Sequence, residues 1–110
     1  TFAKFFIRYF GFDKVKSPTY TLVETYQNDR ADIHHFDCYR LTDPEELEYI
    51  GIRDYLKSNC LQLIEWPELG KGSIAVADIA IKLSGNAESR EAKISFESKL
   101  GRSIKKCVIG

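Results

Sequence analysis

The sequence has 110 residues, 44% of them apolar and 13% aromatic, the size and composition of a single globular domain around one core. Its 16 basic and 16 acidic side chains cancel, so no global field draws the chain to nucleic acid or to an anionic membrane, and any RNA contact has to be local. Cys38, Cys60 and Cys107 are odd in number and widely spaced; this argues against a disulfide framework or a zinc site and fits reduced thiols in the cytoplasm, while no apolar run approaches the roughly 18 residues that suggest a membrane span.

In chain order, Phe2, Phe5, Phe6, Tyr9 and Phe10 recur at helical spacing with Lys4 and Arg8 on another face and Gly11 as a stop, which predicts an amphipathic helix over residues 2–10. No N-cap precedes that helix, and an aromatic stripe of this kind needs a sheet or a second helix to cover it. The expectation is that further sequence lies upstream of Thr1. Residues 19–26, with Tyr20, Thr21, Val23, Thr25 and Tyr26, predict a strand; Asn28-Asp29 supplies a turn, and residues 33–39 predict the second strand of a hairpin.

Asp43-Pro44-Glu45-Glu46 has the form of a helix start, with Asp43 as N-cap, proline in the first helical position and Glu46 placed for a capping box. Leu47 and Ile50 give this helix an inner face and Gly51 ends it. A second short helix carries Ile52, Tyr55 and Leu56 and stops near Ser58-Asn59. Residues 60–64 form an apolar run of buried-strand type that finishes on Glu65. Ile79, Ile81 and Leu83, then Ile94 and Phe96, alternate with polar or small residues around Gly85-Asn86, which predicts a second antiparallel hairpin. The acidic group Asp43, Glu45, Glu46, Glu48 and the acid-free end Lys99, Arg102, Lys105, Lys106 read either as a solvated face and a frayed tail or as docking surfaces.

Chemistry concentrates in three places. Leu61-Gln62-Leu63-Ile64-Glu65 delivers an acid at the carboxyl end of a strand, where open α/β sheets place ligands and where a carboxylate can hold magnesium opposite a phosphate; a merely solvated acid is the plainer reading. Trp66-Pro67 follows at once, and a lone tryptophan is more often packed than functional. Ser17-Pro18-Thr19-Tyr20-Thr21 sets three hydroxyls around a proline, either as ordinary turn chemistry or as a segment that orders around a terminal phosphate. In His34-His35-Phe36-Asp37-Cys38-Tyr39-Arg40, alternation puts His35, Asp37 and Tyr39 on one face. A Cys/His/Asp nucleophilic site is disfavoured because Cys38 points away from Asp37, and a metal site on His34 and His35 because neighbours in a strand face opposite ways.

Taken in order, Ser17-Pro18-Thr19-Tyr20-Thr21-Leu22-Val23, His35-Phe36-Asp37-Cys38-Tyr39-Arg40-Leu41, Asp43-Pro44-Glu45-Glu46-Leu47-Glu48, Gly51-Ile52 and Ile64-Glu65-Trp66-Pro67-Glu68 resemble the successive signature blocks of the TsaE (YjeE) family. The resemblance is clear from Thr1 to about Glu68. It implies an α/β fold of the P-loop NTPase type in three layers, with a central, largely parallel sheet edged by antiparallel hairpins, as one domain over residues 1–110. It also implies an upstream strand and phosphate loop, Gly-x-x-x-x-Gly-Lys-Thr, ending directly before Thr1.

By the same resemblance Glu65 is the magnesium-holding acid, Asp37 a second essential carboxylate acting on water or metal, Thr1 and Thr19 hydroxyls at the nucleotide, and Trp66 the aromatic beside it. Arg40 and Tyr39 orient Asp37 or meet a partner. The implied activity is magnesium-dependent ATP hydrolysis in the cytoplasm that resets or regulates TsaD and TsaB, which attach threonylcarbamoyl to tRNA, so that the tRNA is met indirectly through the complex. Two other readings stay open: a nucleotide-independent binding module, and a P-loop kinase of a small hydroxyl substrate.

Overall fold

The computed structural model describes residues 2–18, 21–57 and 59–109, so the expectations placed on Thr1 and Thr19 lie outside the described residues. The chain divides into two compact units, Thr1–Ile74 and Ala75–Gly110.

The first unit begins with α1 (Phe2–Tyr9). Gly11, at φ +98°, follows the end of α1 in a conformation open to a residue without Cβ. The carbonyls that a helix end leaves unpaired are taken up by the hairpin loop: Asn28 Nδ2 donates to Phe10 O at 2.7 Å and Arg30 Nη1 donates to Tyr9 O at 3.1 Å. The Arg30 guanidinium also brings positive charge to the negative end of the helix dipole and lies 5.5 Å from the Tyr9 ring centroid.

The buried face of α1 differs from the predicted stripe. Ala3 and Ile7 are buried, whereas Phe5 is 69% exposed and Tyr9 also faces out. The aromatics instead form a ladder along the helix, Phe2 to Phe6 to Phe10, with centroids 6.1 and 5.4 Å apart. Spacing alone mistakes Phe5 and Tyr9 for inward side chains; the helix meets the core through Ile7, with Phe10 of the predicted stripe packed against it.

Strand β1 (Val23–Gln27) pairs antiparallel with β2 (Asp32–Asp37), in register from Val23 opposite Phe36 to Gln27 opposite Asp32. The turn forms as Asn28-Asp29 predicts: Asn28 Oδ1 accepts from Arg30 N and Ala31 N at 2.8 and 2.9 Å. Helices α2 (Glu45–Tyr49) and α3 (Ile52–Lys57) then carry the chain over to β3 (Leu61–Glu65), which runs parallel to β2. The three-stranded sheet is therefore mixed, in the order β1-β2-β3: a short loop forces an antiparallel pair, and a helical crossover permits a parallel one.

The expected capping box does not form: α2 begins at Glu45, so Pro44 and not Asp43 takes the N-cap position, with no side-chain cap bond. Asp43 Oδ1 accepts from Glu45 N at 3.0 Å, but the Glu46 carboxylate reaches past Asp43 to Thr42 N and Oγ1 at 3.3 and 3.1 Å. Gly51, at φ +77°, ends α2 as its position suggests.

Alternation along β2 builds two cores. Ile33 packs with Ile7 and Tyr26 on the α1 side, while Phe36 and Cys38 pack with Leu47 and Ile52 on the α2–α3 side. The first unit is thus helix, sheet and helices in three layers. Each of Ile7, Ile33, Phe36, Leu47 and Ile52 is fully buried and contributes about 1.5–3 kcal/mol of transfer free energy.

The second unit is the predicted hairpin, β4 (Ile79–Gly85) against β5 (Arg90–Phe96), and a helix, α4 (Lys99–Ile109). Helix α4 replaces the frayed tail expected from Lys99, Arg102, Lys105 and Lys106. Its signal is present in the sequence: Ser98 caps it, with Ser98 Oγ accepting from Gly101 N at 2.9 Å and donating to Asp78 Oδ1 at 2.5 Å. Gly101 is required because a Cβ there would overlap the Asp78 carbonyl oxygen.

Candidate functional site

The carboxyl ends of β2 and β3 lie side by side, and their last residues, Asp37 and Glu65, occupy the same register position. Backbone bonds fix this edge from both sides. Asp37 N donates to Leu22 O at 3.2 Å, and Cys38 N donates to Glu65 O at 3.0 Å. Two acids distant in sequence are thereby brought to adjacent strand ends, the location where open sheets bind ligands.

Hydrogen bonds between described residues hold both carboxylates. Asp37 Oδ1 accepts from Tyr39 N at 3.0 Å, and Glu65 Oε1 lies 2.5 Å from His35 Nε2. Both acids are only partly buried, so acceptor capacity stays open to solvent. Trp66 follows Glu65 in the left-handed region at φ +55°, half-exposed, and its ring stands 5.1 Å from that of Tyr39. Leu22, whose carbonyl receives the Asp37 amide, is left-handed too, at φ +67°. For residues with a Cβ this conformation costs roughly 1–2 kcal/mol, so backbone strain brackets the carboxylate pair.

The structure therefore gathers Asp37, Glu65, Trp66 and Tyr39 at one edge, with Arg40 exposed in the turn directly after β2. Thr21 is turned to local use: its Oγ1 lies 3.1 Å from Val23 O and 3.2 Å from Glu24 Oε1. Cys38 is fully buried, and burial, with the charges of Asp37 and Glu68, pushes its thiol up to about 11. Such a group carries almost no thiolate near neutrality and is no nucleophile. His34 lies edge-on to Tyr55 of α3 at 4.8 Å and 2.9 Å from Thr25 Oγ1, and burial lowers its basicity.

Sequence reasoning missed His35 as a partner of Glu65. Alternation already places it on the face of Asp37; the parallel register that carries it to Glu65 belongs to the tertiary fold.

Among the described residues no group of three or more His, Cys, Asp or Glu side chains is placed to hold a metal on its own. Two carboxylates at adjacent strand ends nonetheless fit magnesium, a hard cation that keeps several waters and takes one or two acids together with substrate phosphates.

Residues 1–94 match the family model described as threonylcarbamoyl adenosine biosynthesis protein TsaE. The chain belongs to the TsaE family. It is 48% identical over 90 residues to a Haemophilus influenzae protein named tRNA threonylcarbamoyladenosine biosynthesis protein TsaE, covering 82% of this chain and 57% of that one. A Bacillus subtilis protein of the same name is 32% identical over 91 residues, covering 80% of this chain and 56% of its own. This TsaE-family chain thus spans about half the length of the curated relatives it matches. The crystal structure of Bacillus subtilis YdiB superposes with a TM-score of 0.69 over 96% of this chain and 64% of that one at 17% identity, which establishes a shared α/β fold.

Proposed function

We propose that the chain is the catalytic edge of a magnesium-dependent P-loop ATPase acting in tRNA threonylcarbamoyladenosine biosynthesis. The observation that carries this reading is the shared register position of Asp37 and Glu65 at the ends of parallel strands. Bound magnesium would neutralise charge on the phosphates. The part of this chain is to position: Glu65 as the principal acid for the cation, Asp37 to orient the attacking water, and Trp66 with Tyr39 to wall the site with aromatic surface. Phosphoryl transfer needs positioning and charge neutralisation more than covalent help, and that is what this edge offers.

The phosphate cradle belongs to the Gly-x-x-x-x-Gly-Lys-Thr loop expected before Thr1, whose backbone amides and lysine would hold the phosphates. Family membership supports the pathway, and with it TsaD and TsaB as the proteins acted upon, tRNA as an indirect partner and the cytoplasm as the location. Among the described residues no helix is long and apolar enough to cross a membrane.

Trp66 is the only tryptophan of these 110 residues, so the tryptophan fluorescence they contribute reports on this edge. In a chain extended upstream to carry the loop, ATP with magnesium is expected to change that fluorescence saturably, and the 110-residue chain is expected to give no response. Equal nucleotide affinity in both chains would overturn the role of the loop. ATP binding to the extended chain with no change at Trp66 would overturn the placement of the nucleotide.

A further inference from the structure

We propose that His35 is a positioning residue that fixes the Glu65 carboxylate for its cation; the cation itself rests on the function proposed above. His35 stands opposite Leu63, two residues before the level of Asp37 and Glu65, and its ring spans that step to place Nε2 2.5 Å from Glu65 Oε1. The histidine side chain is 5% exposed and the glutamate 39%. The contact therefore ties a semi-exposed acid to a buried, sterically fixed ring.

The other ring nitrogen assigns the proton. Nδ1 is buried with no hydrogen-bond partner among the described residues, so a proton there would be a buried donor without an acceptor. The proton belongs on Nε2, where it is donated to Glu65. The ring of His35 has Glu65 as its sole hydrogen-bond partner among the described residues. With one oxygen tethered, the Glu65 carboxylate has less rotamer freedom to lose on binding a hard cation, and its remaining lone pairs stay available. Partners of this kind, hydrogen-bonded behind a metal ligand, typically govern about 10–100-fold in metal affinity.

Two measurements test this, the first on the 110-residue chain. The first is nitrogen-15 NMR of the histidine rings at about pH 8, above the ordinary histidine range; the chain has two histidines, distinguished by substitution. His35 is expected as the Nε2–H tautomer with a downfield ring proton that returns to an ordinary shift in Glu65→Ala. The Nδ1–H tautomer, or no response to Glu65→Ala, overturns the proposal.

The second is manganese affinity by electron paramagnetic resonance, manganese standing for magnesium, measured with ATP present on the chain extended upstream to carry the phosphate loop, because such a cation takes one or two acids together with substrate phosphates. His35→Phe is expected to weaken binding about tenfold or more, and His35→Gln, which keeps a donor near the Nε2 position, to stay within about threefold of the parent. Glutamine binding as weakly as phenylalanine overturns the proposal. If His35→Phe does not fold, the NMR result on the parent decides. No manganese binding by the parent, with the Nε2–H tautomer still responding to Glu65→Ala, counts against the magnesium reading and supports the tether.

Discussion

ATP hydrolysis by the loop-containing protein is expected to fall at least about tenfold, roughly 1.4 kcal/mol of barrier, in Asp37→Asn and again in Glu65→Gln. Both substitutions keep size and hydrogen-bonding capacity and remove charge. In Asp37→Asn the Tyr39 amide can still bond to the side-chain oxygen that asparagine retains, and in Glu65→Gln the amide can still meet His35, so the geometry at the strand ends should survive with folding stability little changed. What is lost is the negative charge that a cation or an activated water needs. Nucleotide binding should persist more fully in Asp37→Asn than in Glu65→Gln, because Glu65 is read as the principal metal acid. Phosphate release at the parent rate in both variants, with and without TsaD and TsaB, would return the two carboxylates to solvated strand-end residues.

Phe36→Ala is expected to remove a large share of the stability of the protein. Phe36 is fully buried one residue before Asp37, packed with Cys38, Leu47 and Ile52, and edge-on to Tyr55 at 5.4 Å. Removing such a ring leaves a cavity that typically costs about 3–5 kcal/mol, against a total stability of about 5–15 kcal/mol for a domain. Phe5→Ala on α1 is the control. With Phe5 69% exposed, its loss should cost no more than about 0.5 kcal/mol. Thermal denaturation followed by circular dichroism separates the two; equal losses would contradict the assignment of the inner face of α1.

That pair also shows where the sequence is legible. Successive side chains of a strand point to opposite faces, so Ile33 and Phe36 can be assigned to opposite faces of β2 from their spacing alone, and residues 33–36 are all buried because both faces are covered. Turn chemistry is equally local, and Asn28 and Gly51 act where their side chain or backbone freedom predicts, whereas the start of α2 falls one residue later than Asp43 as N-cap predicts. Helix α1 is different. Its apolar arc is wider than the face the sheet can cover, and periodicity does not say which part of a wide arc turns inward.

Helix α4 is hidden by Lys99, Arg102, Lys105 and Lys106, whose charge has the look of a solvated tail. Ser98 and the apolar positions Leu100, Ile104 and Val108 carry the helix signal. At the site, the residue types and their strand-end positions are readable. The pairing of Asp37 with Glu65 is readable only as an expectation, and that of His35 with Glu65 not at all, because both depend on the parallel register of β2 and β3. Register is a tertiary property, fixed here by the crossover through α2 and α3 rather than by a turn.

The most direct test of the central claim is paramagnetic broadening of backbone amide signals by manganese in the presence of ATP, measured on the isotopically labelled, loop-containing protein. If the ends of β2 and β3 hold the metal-nucleotide, broadening will centre on Asp37, Glu65 and Trp66 and fade along both strands toward Ile33 and Leu61. Broadening centred elsewhere, or none at these residues while ATP is bound, would contradict it.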